Sequence, residues 1–319
     1  MVYLLLVLTL ACLALKGYCG KKVGVYMRDN GDAFLYNFLR MSFCLAIGTA
    51  LIFIEGSQGF FGVDGRMIAI SALSGVSNAA FVVCWLLAIE RNTMVTVDVC
   101  LTMGSFLPAV LCLALFGDTF AWQKLIGFAL ILGASAILAG YNKKIKKGKT
   151  GFFGVILVIL ATLGDGMINF SQQLYLKFCA EGGAYATERV YPKSVFHFYT
   201  YLFAAVALGL FFLFYKLMRS SKKELAPAVD GVEVKSGDLG RAVPLIAIMA
   251  ICLFAANYLQ TVISGDFGMT SEVLYPVLKG GSLITVNFVA MIFFGEKITK
   301  RSIAGTLVAL GGIIIINVF

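Results

Sequence analysis

Histidine is almost missing: the 319-residue chain has one, His197. That removes the His-Glu-x-x-His zinc signature and leaves His197 as the sole candidate for a Ser/His pair for proteolysis inside a membrane. Leu163-Gly164-Asp165 is not the Gly-x-Gly-Asp context that paired catalytic aspartates require. An intramembrane enzyme is therefore the remote reading, and no catalytic residue, metal or cofactor is assigned. Cysteine is present eight times but never as C-x-x-C, and each copy falls within or at the end of an apolar run, so buried free thiols are expected. Charge is scarce as well, at 13% of residues against 60% hydrophobic, with a mean hydropathy of +0.91. So little polar sequence cannot cover a soluble globule of this length, and the chain must use lipid as its solvent.

What the sequence does have is long apolar runs. They cover Val2–Cys19, Ala33–Ile54, Met67–Ile89, Thr93–Phe116, Trp122–Gly140, Phe152–Phe178, Ser194–Met218, Val243–Ser264, Val273–Phe294 and Ser302–Phe319. Most lie near the ~20 residues that a helix needs to cross a ~30 Å hydrocarbon core. The expected fold class is thus an all-α integral membrane protein of ten transmembrane helices. The first run meets lysines only after its apolar stretch, the order of a start-outside anchor rather than of a cleaved signal.

Orientation follows from the loop cations, because short cytoplasmic loops retain Lys and Arg. Loops after odd-numbered spans carry eighteen, including Lys143, Lys144, Lys146, Lys147 and Lys149; the even-numbered loops carry only Arg66, Lys124, Lys177, Arg189 and Lys193. Both termini are expected outside a plasma or inner membrane. The formal net charge of +9 is accounted for by these loops and by anionic headgroups, and calls for no nucleic-acid partner. Gly148-Lys149-Thr150 fails as a phosphate loop, since Lys143 stands where the first glycine belongs.

A displacement of the chain along itself reveals a duplication. Moving Asn92–Tyr141 forward by 178 positions sets Phe116-Gly117-Asp118 on Phe294-Gly295-Glu296, Gly127 on Gly305, Leu132-Gly133 on Leu310-Gly311 and Ile137 on Ile315, without a gap. With one residue of slip, Asn78 meets Asn257. Residues 1–141 and 151–319 are then two five-helix repeats joined by a basic cytoplasmic linker at 142–150, with a mobile cytoplasmic loop at 219–242 inside the second. Five spans per repeat is an odd number, so the second repeat enters from the opposite side and is inverted.

Polar residues inside the spans gather on single helix faces. Span 9 carries Glu272, Tyr275, Lys279 and Ser282; span 6 carries Asp165, Asn169 and Gln172, with Gln173 at the edge; span 8 carries Asn257, Thr261 and Ser264, with Gln260 beside them. Span 3 offers Ser71, Ser74 and Asn78, and span 4 offers Asp98 and Ser105. Plain packing explains the span 3 serines. Lys16 and Arg40 are expected to snorkel to an interface, and His197 to sit at one. Lys279 and Asp165 lie too deep for that, and an ionisable group at such depth costs ~2.5–3.5 kcal/mol or more unless it faces a partner or a wet cavity.

The run Pro276…Asn287-Phe288…Phe294-Gly295-Glu296-Lys297-Ile298-Thr299…Gly305…Leu310-Gly311-Gly312, with its first-half copy, resembles the closing hairpin of the drug/metabolite transporter superfamily, in its ten-span EamA-like branch and in the small multidrug resistance proteins. The resemblance implies a secondary transporter with a central cavity between the halves and alternating access, the deep polar residues of spans 3, 4, 8 and 9 lining it. A lysine on span 9 is also similar to the basic residue that binds the substrate anion in phosphorylated-sugar translocators. The chain departs from the small multidrug proteins, whose first helix keeps a glutamate: here span 1 offers Lys16, which counts against simple efflux of cationic compounds, the alternative reading.

On this basis Lys279, Tyr275, Ser282, Asn257, Gln260, Asn78 and Asp98 are the candidate substrate-binding residues, and Asp165 and Glu272 the candidates for proton coupling. Lys279 supplies a positive site near the midplane. Asp98 and Asp165 have three roles open to them: to balance Lys279, to anchor an ammonium group, or to carry a proton. The expected partners are the bilayer, a small polar solute that is anionic or zwitterionic, and protons, in a monomer or a homodimer.

Overall fold

A computed structural model describes residues 1–27, 30–56, 62–91, 97, 101–117, 122–142, 152–186, 189–221, 239–294 and 300–318. Asp98, the linker from residue 143 onward, residues 222–238 of the long loop and residues 295–299 of the last hairpin lie outside them. Among the described residues the chain is all-helical. Ten α-helices run α1 Val2–Gly24, α2 Asn30–Ile54, α3 Gly65–Arg91, α4 Phe106–Phe116, α5 Trp122–Asn142, α6 Phe152–Phe178, α7 Lys193–Ser221, α8 Leu239–Asp266, α9 Ser271–Phe294 and α10 Lys300–Val318. Five of them, α1, α2, α3, α7 and α8, are long and apolar enough to cross a membrane.

The surface shows why lipid is the solvent. Val7 and Leu8 on α1, Leu210, Phe211, Leu213 and Phe214 on α7, and Ile303, Leu307 and Ile314 on α10 are exposed. Asn37, Arg40, Ser71, Asn78, Asn169, Gln172 and Thr261 are buried. Such an inversion is stable only where the surroundings are apolar and the backbone satisfies itself within helices.

The fourth span departs from expectation. In place of an unbroken helix from Thr93, a 3₁₀ turn at Thr102–Ser105 precedes α4. Pro108 has no N–H to give the Gly104 carbonyl four residues back, so the α-helical ladder lapses there. Ser105 Oγ instead donates to the Thr102 carbonyl at 2.7 Å. Gly104 also lets this turn press against α6, since a Cβ on it would come within 2.6 Å of the Thr162 carbonyl oxygen. The unwound turn thus abuts the part of α6 that carries Asp165.

The principal packing pairs are α3 with α6, α5 with α10, α2 with α7, α1 with α8 and α3 with α7. Small residues set several of these distances. A Cβ on Gly312 would meet the Gly127 carbonyl oxygen at 2.7 Å, one on Gly280 would meet Ile313, and one on Gly281 would meet Leu10. A Cβ on Gly311, beside Gly312 in sequence, would meet nothing within 4 Å. The described cysteines are free thiols, and all but Cys12 are buried.

Candidate functional site

Asp165 stands about 20 Å along α6 and Lys279 about 12 Å along α9 by the 1.5 Å rise per residue, so neither reaches a helix end. The packing brings them together: Lys279 Nζ lies 2.6 Å from Asp165 Oδ2, with the two side chains 17% and 12% exposed. The approach is charge to charge, because Oδ2 makes no contact with hydrogen-bond angles. A pair at this distance in a low-dielectric interior relieves the desolvation of both ions, and loss of either partner strands the other.

The pair walls a cavity of about 50 Å³, room for a few waters. Its lining includes Asn257 and Gln260 from α8, Tyr275 and Ser282 from α9, and Asn169 from α6. On the α1 and α3 side it is closed by Lys16, Phe81 and Trp85. Pro276 lies one turn before Lys279 and removes the N–H that would bind the Glu272 carbonyl, so the start of α9 has a backbone acceptor outside the helical ladder.

A second cavity, of about 710 Å³, lies between the ends of α6 and α8 and the starts of α7 and α9, with Glu272, Lys177 and Gln173 among its lining. A Lys193–Asp266 ion pair of 2.6 Å stands in its wall. One hydrogen-bonded layer separates the two cavities. Gln173 Nε2 donates to Tyr275 Oη at 3.0 Å and to Ser264 Oγ at 3.1 Å, Tyr275 Oη donates to the Asn169 carbonyl at 3.0 Å, and Ser264 Oγ donates to the Met269 carbonyl at 3.0 Å. Tyr275 therefore faces the inner cavity while its partner Gln173 faces the outer one.

Of the residues singled out from sequence, Lys279, Asp165, Tyr275, Ser282, Asn257 and Gln260 converge on the inner cavity. Glu272 lines the outer one, with Thr270 Oγ1 at 3.4 Å from its Oε1. Asn78 is fully buried on α3, with neither amide atom partnered among the described residues, and does not line either cavity. Asp98 lies outside the described residues.

Three expectations are corrected. Lys16 does not snorkel: it is buried at the inner cavity, its Nζ 5.2 Å from the Trp85 ring centre and 5.3 Å from that of Phe81. Arg40 does not snorkel either, being 1% exposed with its guanidinium carbon 5.7 Å from the Trp85 ring centre. His197 is not interfacial but buried, its Nε2 3.1 Å from Thr261 Oγ1, which donates to the Asn257 carbonyl. Aromatic rings at Tyr201, Phe254 and Tyr258 surround it. The signal available for Lys16 and Arg40 was their depth, about 21 Å and 15 Å from the starts of α1 and α2.

No family model matches the chain, and no curated protein matches it. Solved structures do share its fold: one, described only as the crystal structure of a protein, aligns with a TM-score of 0.67 over 98% of each chain at 10% identity. At that identity the likeness speaks to fold alone.

Proposed function

We propose that the chain is a secondary transporter of the drug/metabolite transporter type, moving a small anionic or zwitterionic metabolite through the inner cavity by alternating access. The observation that carries this reading is the Lys279–Asp165 pair set deep in the bundle on the wall of a polar cavity. A stabilising device would not need it, since apolar residues of like volume hold helices as well or better. As a site, the pair works by exchange: a substrate carboxylate or phosphate takes the place of Asp165 on Lys279, and a proton on Asp165 releases the lysine to do so.

The packing supports two five-helix halves related by a two-fold exchange. Swapping α1–α5 with α6–α10 turns α1–α8 into α6–α3, α3–α7 into α8–α2, and α1–α9 into α6–α4, all of which are packed pairs; α2–α7, α5–α10 and α4–α9 map onto themselves. With the odd span count expected per half, this pairing supports an inverted repeat, in which substrate sites fall near broken helices at the midplane. The 3₁₀ turn beside Asp165 and Pro276 beside Lys279 fit that pattern. The cationic-efflux alternative has Lys16 and Lys279 facing the same cavity against it.

Melting purified protein against amino acids, sugar phosphates and cationic dyes tests the reading. Anionic or zwitterionic solutes should raise the Tm of the wild type and leave the Lys279→Met/Asp165→Asn double variant unmoved, although that variant folds. A shift with cationic dyes alone would replace the proposal with the efflux alternative, and full anion binding by the double variant would reduce the pair to a structural tie.

A further inference from the structure

Arg40 is the most deeply buried of the charges outside the Lys279–Asp165 pair among the described residues. Nε, Nη1 and Nη2 are all buried and none has a hydrogen-bond partner among the described residues. Among the described residues its electrostatic neighbours are Cys44 and Tyr201, neither of them a carboxylate, and its guanidinium also lies against the Trp85 ring. A guanidinium presents five N–H donors in a fixed fork, cannot shed its charge, and is poorly compensated by one indole face.

The inner cavity is connected to it by two routes. Trp85, against which Arg40 lies, is a wall of that cavity and also carries Lys16. Asn257, another wall residue, donates through Nδ2 to Tyr201 Oη at 3.0 Å, and Tyr201 is Arg40's neighbour. Trp85 is seated against Gly20 of α1, where a Cβ would come within 2.5 Å of the ring. A cavity of about 50 Å³ is too small for a metabolite, so any substrate requires it to widen. A movement of α1, which holds both Gly20 and Lys16, would unseat Trp85 and join Arg40's surroundings to the cavity. At depth the described residues then present Lys16, Arg40 and Lys279 against one carboxylate, Asp165.

We infer that Arg40 is a second anion-binding position of the widened cavity and that the substrate is dianionic, one negative group meeting Lys279 and the other the guanidinium fork of Arg40. The inference rests on the anion reading above. Two chemistries share the charge, a phosphate monoester and a dicarboxylate, and the fork accepts either in bidentate fashion.

The test is ligand-dependent melting and equilibrium binding of the purified full chain at pH 7.5 with glycerol 3-phosphate, succinate, lactate and glycerol, for wild type, Arg40→Gln and Arg40→Lys. The wild type should respond to glycerol 3-phosphate or succinate, whichever source is right, more strongly than to monoanionic lactate, and not to glycerol. Arg40→Gln should raise the dianion Kd roughly 10- to 100-fold while lactate binding stays within about twofold, with an unchanged or higher Tm without ligand. Arg40→Lys, which keeps the charge and loses the fork, should fall between, and it serves alone if the Gln variant does not fold. Dianion binding equal to wild type in either variant overturns the role of Arg40 and leaves the Lys279 reading standing. A lower ligand-free Tm with unchanged dianion preference would mark a structural cation, and no response of the wild type to any anion would remove both readings.

Discussion

Two residues on α6 and α9 determine most of what can be asked of the site. Asp165 and Lys279 neutralise one another at 2.6 Å, and each is the other's reason for tolerating the interior. Asp165→Asn preserves shape but removes the negative charge, so Lys279 stands uncompensated, at a cost of about 3–5 kcal/mol in stability. The lysine is then permanently free for an anion. Uptake driven by a proton gradient should therefore disappear in Asp165→Asn liposomes while substrate exchange persists, because exchange needs no net proton movement. An unchanged pH dependence of uptake in this variant would take Asp165 out of the coupling step. Both residues were legible in the sequence, since charge at that depth is costly wherever it occurs. Their contact was not, because no local pattern says which faces of α6 and α9 meet. Lys16 and Arg40 were misread for a related reason: snorkelling requires a lipid-facing side, and hydropathy alone does not reveal which side of α1 or α2 that is.

At the scale of helices, the number of helices and most of their boundaries were readable from apolar length, while interruptions were not. Pro108 was visible in the sequence, but a proline inside a membrane span is often tolerated, and it took the close approach of Gly104 to α6 to turn the lapse into a 3₁₀ turn. Glycine pairs mislead in the same way. Gly311 and Gly312 are neighbours in sequence, yet only Gly312 packs, its α-carbon facing the Gly127 carbonyl across the α5–α10 contact. Gly312→Ala should thus force the two helices apart and cost about 1–3 kcal/mol, as overpacking does. Gly311→Ala adds a methyl where nothing lies within 4 Å and should be neutral or gain up to about 1 kcal/mol from the helix preference of alanine over glycine. Thermal melts of the two variants in one detergent decide it; equal melts would mean that the α5–α10 contact is not held by this glycine.

For the whole molecule, the outer vestibule and the loop cations make separate statements about sidedness that can be set against each other. The wider cavity opens among residues 177–184, 192–193 and 264–272, the segments joining α6 to α7 and α8 to α9. Those are even-numbered connections, poor in Lys and Arg, whereas the eighteen cations of the odd-numbered ones include all of the 143–149 cluster. Cytoplasmic retention of Lys and Arg places the cation-rich side inside. On that rule the vestibule is expected to face outward, with the Tyr275–Gln173 layer as the barrier between the exterior and the Lys279–Asp165 cavity. Ten spans would send the chain back to the side from which it started, so on this reading a reporter fused after Phe319 would share the face of the vestibule. An enzyme reporter active only outside the cytoplasm should be active in that fusion, and a fluorescent protein that matures only in the cytoplasm should stay dark. The reverse result would put the vestibule on the cytoplasmic side, with the Tyr275–Gln173 layer as the inner barrier. A bright C-terminal fusion combined with a cytoplasmic residue 147 would instead require an odd number of crossings after the linker to become even, and would break the five-plus-five arrangement itself.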